Sequence, residues 1–93
     1  MIKSFNHKGL KEFFLTGNTK GIQSEHINKL RTILSTLNSA VSVDDISKFP
    51  TFKLHPLKGT MKGLWAITVN GNWRITFKFE DENVYIVDYM DYH

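Results

Sequence analysis

Two separate segments of this 93-residue chain carry side chains that suit proton transfer and phosphate binding. The first holds His55 and Lys58, which frame a proline, and the second holds Arg74 in a stretch of alternating polarity. An imidazole exchanges protons near neutral pH, and a planar guanidinium suits the recognition of phosphate. Spacing alone favours a surface histidine and a surface lysine, and Arg74 is a functional candidate only if other polar groups converge on it.

The end of the chain concentrates carboxylates, phenols and an imidazole. Asp88, Tyr89, Asp91, Tyr92 and His93 all lie within the last six residues. Chain ends are usually frayed and unimportant, but this composition, directly after a predicted strand, is unusual for a tail. The C-terminus is therefore a third source of candidate side chains.

Charge is distributed unevenly along the chain, whose formal net charge is +3 at pH 7. Residues 52–79 contain basic side chains and no acidic one, whereas residues 80–93 contain five acidic side chains and neither lysine nor arginine. The basic residues of the first stretch are Lys53, Lys58, Lys62, Arg74 and Lys78. Such a stretch suits a phosphate-bearing partner, because contacts with phosphates release counterions. The simpler alternative is a solvated lysine surface.

The residues that are absent exclude several kinds of site. The chain has no Cys, which excludes disulfides, thiolate metal sites and a cysteine nucleophile. It also lacks the glycine-rich phosphate-binding loops and the Gly-x-Ser-x-Gly elbow. Asp88, Asp91 and His93 could in principle ligate a metal, but without Cys or a paired histidine we predict neither a metal nor a cofactor. His7 and His26 have no paired group and are interpreted as structural or surface residues.

Length and hydropathy limit the kind of protein that this chain forms. A length of 93 residues allows one domain. The longest apolar run has four residues, far too few to span a bilayer, and the N-terminus lacks the apolar stretch of a signal peptide. We therefore expect a soluble, cytoplasmic protein with no membrane partner.

The helical period dominates the first half of the chain. The predicted elements are a short strand at Met1–Phe5, a helix at His7–Thr16 that stops at Gly17, a second helix from an N-cap at Ser24 to about Asn38, and a helical turn at Val43–Ile46. The second helix has a continuous apolar face that suits a core. The residues of that face recur at three- and four-residue steps: Ile27, Leu30, Ile33, Leu34 and Leu37.

The second half of the chain changes to the two-residue period of β-strands. The predicted strands are Phe52–His55, which Pro56 ends, Leu64–Val69, Trp73–Phe79 and Val84–Tyr89. Asn70-Gly71 is the strongest hairpin signal. Beyond it, Arg74 and Lys78 alternate with apolar side chains, so they should face the open side of the sheet. We predict an α+β domain over residues 1–93, with two N-terminal helices packed on one face of a small antiparallel sheet.

Together these segments resemble the HigB toxins of bacterial type II toxin–antitoxin modules, within the RelE/ParE superfamily. The matching segments follow the expected order along the chain: Met1–Phe5, Lys8–Leu10, Lys53–Gly59, Gly63–Trp65, Asn72–Phe77 and Asp88–His93. The combination of His-Pro-Leu-Lys-Gly, Asn-Trp-Arg-Ile and the Asp-Tyr-His terminus is specific, whereas residues 17–49 contain little that is diagnostic. Leu64 departs from the relatives, which often carry an aromatic residue there.

The resemblance implies a ribosome-dependent endonuclease that enters the ribosomal A site, contacts ribosomal RNA and cuts messenger RNA there without a metal or cofactor. The functional positions that it implies are His55, Lys58, Arg74, Asp91, Tyr92 and His93. It also implies a HigA-type helix-turn-helix antitoxin, which neutralises the toxin and represses the operon. DNA would then be contacted only through the toxin–antitoxin complex.

The mechanism that fits this resemblance is attack by a ribose 2′-oxygen on its own 3′-phosphodiester, so the enzyme mainly has to align one nucleotide. His55 and His93 are the natural pair for the two proton transfers, and which is base or acid stays open. Asp91 would orient an imidazole or act as the base. Lys58 and Arg74 would stabilise the phosphoryl charge. Tyr92 would stack on a base or hydrogen-bond the phosphate, and ribosomal RNA would be held by Lys53, Lys62 and Lys78.

Two other functions stay open at the level of the sequence. A ParE-like toxin that inhibits DNA gyrase would share the fold but would need no catalytic residues. A non-catalytic module that binds RNA or ribosomes would leave the message intact. The set of His55, Lys58, Arg74 and His93 favours the nuclease, because a gyrase inhibitor has no reason to assemble it.

Overall fold

Helices occupy the first half of the chain and strands the second half in the computed structural model, which describes residues 1–91. The helices are α1 (Lys8–Thr16), α2 (Ile27–Ser39) and α3 (Val43–Ser47). The strands are β1 (His55–Pro56), β2 (Trp65–Asn70), β3 (Trp73–Glu80) and β4 (Asn83–Asp91). Turns of 3₁₀ helix lie at Ser24–His26, Pro50–Phe52 and Gly59–Met61. The antiparallel strand order β1-β2-β3-β4 confirms the predicted α+β class.

The core lies between the helices and one face of the sheet. The predicted apolar face of α2 is buried at Leu30, Ile33, Leu34 and Leu37 and half-buried at Ile27. These side chains form one cluster with Ile75 and Phe77 of β3. Full burial of side chains of this size contributes about 1.5–3 kcal/mol each. Because the helices cover only this face, the opposite face of the sheet is available for a site.

Both ends of α1 are formed by capping interactions with nearby residues, whereas α2 does not start at the N-cap that the sequence predicts. His7 caps α1, since its Nδ1 accepts the backbone N–H of Leu10 at 2.9 Å, and Gly17 ends the helix with φ 81°. The predicted N-cap at Ser24 is wrong. Ser24 instead begins a 3₁₀ turn that buries His26 and leads directly into α2, so the α-helix begins two residues later than an N-cap at Ser24 would predict.

The N-terminal segment pairs with β4 but does not form the predicted strand. Only two isolated parallel bridges connect them within the described chain, Ile2 with Val84 and Phe5 with Val87. Between these bridges β4 contains a β-bulge with Ile86 at φ 50°. The hydroxyl oxygen of Ser4 accepts the N–H of Ile86 at 2.8 Å. The bulge therefore replaces regular pairing with a side-chain contact, and a continuous strand cannot form.

Two other strand boundaries differ from the prediction. The strand predicted at Phe52–His55 is wrong, because Phe52 ends a 3₁₀ turn and Lys53 adopts a left-handed conformation with φ 50° and ψ 44°. Pairing begins only at His55, in the edge strand β1, where a proline is tolerated. The predicted β2–β3 hairpin is present, but its central residues are Gly71 and Asn72, since Asn70 already pairs with Trp73.

The β3–β4 hairpin contains a local conflict that a substitution can relieve. Asp81 and Glu82 form its two-residue turn with φ 50° and 65°, a geometry that favours Asn-Gly. We expect Glu82→Gly to raise the free energy of unfolding by about 0.5–1 kcal/mol, because relief of the left-handed penalty exceeds the added entropy of the unfolded chain. Urea denaturation measures this difference.

The matched control makes the same change in a helix. Glu12 is exposed within α1, so Glu12→Gly should lower the free energy of unfolding by about 0.5–1 kcal/mol. Opposite signs for the two variants are expected. A loss of stability in Glu82→Gly as large as that in Glu12→Gly would show that the turn carries no strain.

Candidate active site

A small cavity of about 90 Å³ opens on the face of the sheet that the helices leave uncovered. It is lined by His55, Leu57, Met61, Ala66, Arg74 and Thr76. The strand register explains this set, because His55 pairs with Ala66 and Ala66 pairs with Thr76. Directly paired residues share a face, so these three form a row across β1, β2 and β3. The register thus brings two of the predicted site residues, His55 and Arg74, to one cavity.

The imidazole of His55 is exposed and held by one hydrogen bond. Its Nδ1 lies 2.8 Å from the backbone carbonyl of Lys53. A carbonyl only accepts, so Nδ1 carries the proton and Nε2 of the neutral ring carries the lone pair. The left-handed conformation of Lys53 belongs to the turn that presents this carbonyl. The local backbone therefore selects the tautomer and leaves Nε2 as the nitrogen that can exchange a proton.

The guanidinium of Arg74 is half-buried and anchored at one nitrogen. Its Nη1 donates to the carbonyl of Gly71 at 2.7 Å and to the carbonyl of Trp73 at 3.1 Å. Both carbonyls belong to the β2–β3 hairpin, so the turn fixes the orientation of the side chain. Nε and Nη2 have no acceptor within residues 1–91. These donors are therefore available to an anion in the cavity.

The segment after β1 forms one wall of the cavity. The N–H of Leu57 donates to the carbonyl of Leu64 at 2.9 Å, which closes a loop that contains the 3₁₀ turn Gly59–Met61. Leu57 and Met61 contribute apolar surface to the cavity. Lys58 lies between them in sequence and is exposed, and its side chain is not among those that line the cavity.

The β4 bulge determines which C-terminal residues share the open face. Before the bulge Lys78 pairs with Tyr85, and after it Thr76 pairs with Asp88 and Arg74 with Met90. Asp88 and Met90 consequently lie on the face of Arg74. Asp91 pairs with Trp73, which places it on the other face, at the exposed end of β4. The predicted role of Asp91 in the site stays a prediction, and Tyr92 and His93 lie outside the described residues.

The three lysines that were predicted to bind RNA are all exposed. Lys53 lies in the turn before β1, Lys62 follows the 3₁₀ turn of the loop, and Lys78 lies on β3. Lys78 forms an ion pair with Glu80 at 3.3 Å.

Within residues 1–91, no three His, Asp or Glu side chains are grouped so that they could hold a metal ion.

An aromatic cluster on the helix side supports the ends of β3 and β4, and no motif in the sequence predicts it. Trp73 stacks on Tyr89 with ring centroids 4.7 Å apart, and the Tyr89 oxygen lies 2.6 Å from Nδ1 of His26. Burial raises the pKa of the Tyr89 phenol. Nε2 of His26 is buried and has no partner within the described chain. The cluster fixes the strand positions next to Arg74 and Asp91.

Comparison with known structures identifies the class to which this fold belongs. A mutant of YafQ from E. coli superposes with a TM-score of 0.64 at 21% identity, over 98% of this chain and 91% of that one. A YoeB/ParE toxin from Agrobacterium tumefaciens superposes with a TM-score of 0.57 at 14% identity, over 99% of this chain and 96% of that one. The fold is therefore that of the RelE/ParE toxins.

Sequence comparison narrows this class to one family. The family model for the RelE-like toxin of the type II toxin–antitoxin system HigB matches residues 3–93. Endoribonuclease HigB of Proteus vulgaris is 44% identical over all 93 residues, which cover the whole of both chains. The chain belongs to the family of HigB-like toxins.

None of the helices in residues 1–91 has both the length and the hydropathy that a membrane-spanning segment needs.

Proposed function

We propose that this toxin is an endoribonuclease that cleaves messenger RNA in the ribosomal A site. The observation that carries the proposal is the convergence of His55 and Arg74 on one cavity of the open sheet face. One residue exchanges protons and the other binds phosphate oxygens. The relative from Proteus vulgaris, named an endoribonuclease, supports the same activity.

The proposed reaction is an internal displacement at phosphorus. The 2′-oxygen forms a bond to the adjacent phosphorus, the bond to the 5′-oxygen breaks, and the products carry a 2′,3′-cyclic phosphate and a 5′-hydroxyl. The 2′-proton goes to a base, and an acid protonates the leaving 5′-oxygen. Nε2 of His55 performs one of these transfers, and His93 performs the other. Asp91, which lies on the other face at the end of β4, orients an imidazole. Chemistry of this kind needs no metal ion or cofactor.

Charge stabilisation and substrate binding fall to the remaining predicted residues. Arg74 and Lys58 stabilise the phosphoryl oxygens as negative charge grows on them. Tyr92 stacks on a base or hydrogen-bonds the phosphate. Contacts with ribosomal RNA that do not depend on sequence are made by Lys53, Lys62 and Lys78.

The proposed partners follow from the same activity. The ribosome supplies the messenger RNA, so the toxin acts in the cytoplasm. A HigA-type helix-turn-helix antitoxin neutralises it, and any contact with operator DNA occurs only through that antitoxin. The type II toxin–antitoxin family of the chain supports an antitoxin partner.

Induction of the toxin in cells, followed by mapping of messenger RNA 5′ ends, tests the proposal. We expect new 5′-hydroxyl ends inside translated codons, and we expect these ends to disappear when initiation is blocked. Gyrase trapped on broken DNA with intact messages would contradict the proposal and indicate the ParE-like activity. Ribosome binding without any new ends would indicate a non-catalytic module.

A further inference from the structure

Thr76 lies in the middle of β3 on the open face and is 4% exposed. Its neighbours Ile75 and Phe77 are buried in the core on the other face, and Thr76 itself lines the cavity with His55 and Arg74. The Thr76 hydroxyl makes no hydrogen bond within residues 1–91, and its oxygen is not sealed from solvent. The cavity is therefore the route by which this hydroxyl reaches a partner.

The fold itself gives no reason for a hydroxyl at this position. The hydroxyl makes no hydrogen bond that would stabilise the fold, whereas valine has nearly the same shape and no polar atom that must stay hydrated. Valine is also at least as favourable in a strand. Thr76 is therefore explained more simply by a ligand than by the packing of the protein.

The size and lining of the cavity indicate the kind of group that it receives. The cavity is small, with a volume of about 90 Å³, and it is open to solvent, so it has room for a group of the size of a phosphoryl group. The polar part of the wall offers an imidazole, a guanidinium and a hydroxyl, from His55, Arg74 and Thr76. The guanidinium and the hydroxyl donate hydrogen bonds to anionic oxygens, and Nε2 of the imidazole is the group that exchanges a proton.

We propose that the Thr76 hydroxyl donates a hydrogen bond to a non-bridging oxygen of the scissile phosphoryl group, beside Arg74. This inference rests on the proposed ribonuclease function and adds a substrate-binding residue to it. Asp88, the cross-strand neighbour of Thr76, does not line the cavity, and its Oδ1 accepts the backbone N–H of Tyr89 at 2.9 Å. The hydroxyl is thus left to the substrate.

Isosteric substitution separates this role from a structural one. We expect Thr76→Val to fold with unchanged or higher thermal stability and to lower the single-turnover cleavage rate on programmed ribosomes by about tenfold to a hundredfold. Thr76→Ser restores the hydroxyl and should cleave within about threefold of the wild-type rate. Thr68→Val is the matched control, since Thr68 shares the face but does not line the cavity; it should cleave at the wild-type rate.

Phosphorothioate messages identify the atom that Thr76 contacts. Sulfur accepts hydrogen bonds poorly, so it removes the benefit of a donor at the oxygen it replaces. When sulfur replaces the oxygen that Thr76 contacts, Thr76→Val and the wild type should cleave at the same rate. With the other diastereomer, Thr76→Val should be slower than the wild type by the same factor as on unmodified RNA. An equal loss with both diastereomers would overturn the phosphoryl contact.

The same assay separates failure of this inference from failure of the proposed function. Wild-type cleavage together with an unimpaired Thr76→Val variant would overturn only the role of Thr76. Absence of cleavage by the folded wild-type toxin on translating ribosomes would overturn the ribonuclease function and this inference with it.

Discussion

We expect His55→Asn to lower the rate of RNA cleavage by about 10²- to 10⁴-fold, the range that general acid–base catalysis contributes. The amide nitrogen of asparagine can take the place of Nδ1 and keep the hydrogen bond to the carbonyl of Lys53, 2.8 Å away. Asparagine has nothing that replaces Nε2 as a proton carrier. Single-turnover cleavage of a message on programmed ribosomes, at saturating toxin, measures the chemical step.

The control for this substitution is the same change at a histidine outside the cavity. His7 caps α1 through its Nδ1, and asparagine is a preferred N-cap, so His7→Asn should fold and cleave like the wild type. A well-folded His55→Asn that cleaves at the wild-type rate would remove His55 from the proton transfers.

The parts of the fold that were predictable are those that depend on neighbours along the chain. The apolar face of α2 and the alternation along β3 follow from helical and strand periods that any short window reveals. The pairing of the N-terminal segment with β4 depends on a bulge far away in sequence. Ile86 stands at φ 50° there, a conformation that is unfavourable for a β-branched residue, so local preference argues against the bulge. Val84 and Val87 are both buried although they are three residues apart, whereas a regular strand places every second residue on the same face. This interval is the sequence feature that indicates the bulge.

The residue types of the candidate site were predictable from the sequence, but their arrangement in space was not. Residue types identified His55 and Arg74 as candidates, but their convergence depends on the pairing of His55 with Ala66 and of Ala66 with Thr76. Sequence periodicity does not specify which residues pair across strands, because each strand shows only its own alternation. Thr76 has no sequence signal for the same reason, because a threonine is ordinary in a strand and only the pairing places it in the cavity with His55 and Arg74.

Replacement of Arg74 has the second large expected effect. We expect Arg74→Ala to lower the cleavage rate by about 10²- to 10³-fold, because the developing phosphoryl charge loses its fixed donors. Arg74→Lys should recover only part of this loss. An ammonium group that binds the carbonyls of Gly71 and Trp73, as Nη1 does at 2.7 and 3.1 Å, has one N–H left for a phosphate, whereas the guanidinium keeps the donors of Nε and Nη2.

The kinetic signature distinguishes this role from general attraction to RNA. If Arg74 acts mainly on the transition state, the maximal single-turnover rate falls while the toxin concentration for half-saturation changes little. Thermal unfolding of each variant checks that loss of the hairpin contacts has not unfolded the protein. A variant that binds ribosomes weakly but reaches the wild-type maximal rate would assign Arg74 to substrate binding alone.

The matched control is the arginine on the helix layer. The Arg31 guanidinium lies 5.8 Å from the ring of Phe13, and Arg31 does not line the cavity of His55 and Arg74. Arg31→Ala removes the same charge from the protein, so it tests whether net charge alone sets the rate. We expect its cleavage rate to stay at the wild-type value at physiological salt. Equal losses in Arg31→Ala and Arg74→Ala would mean that the cavity does not hold the phosphoryl group.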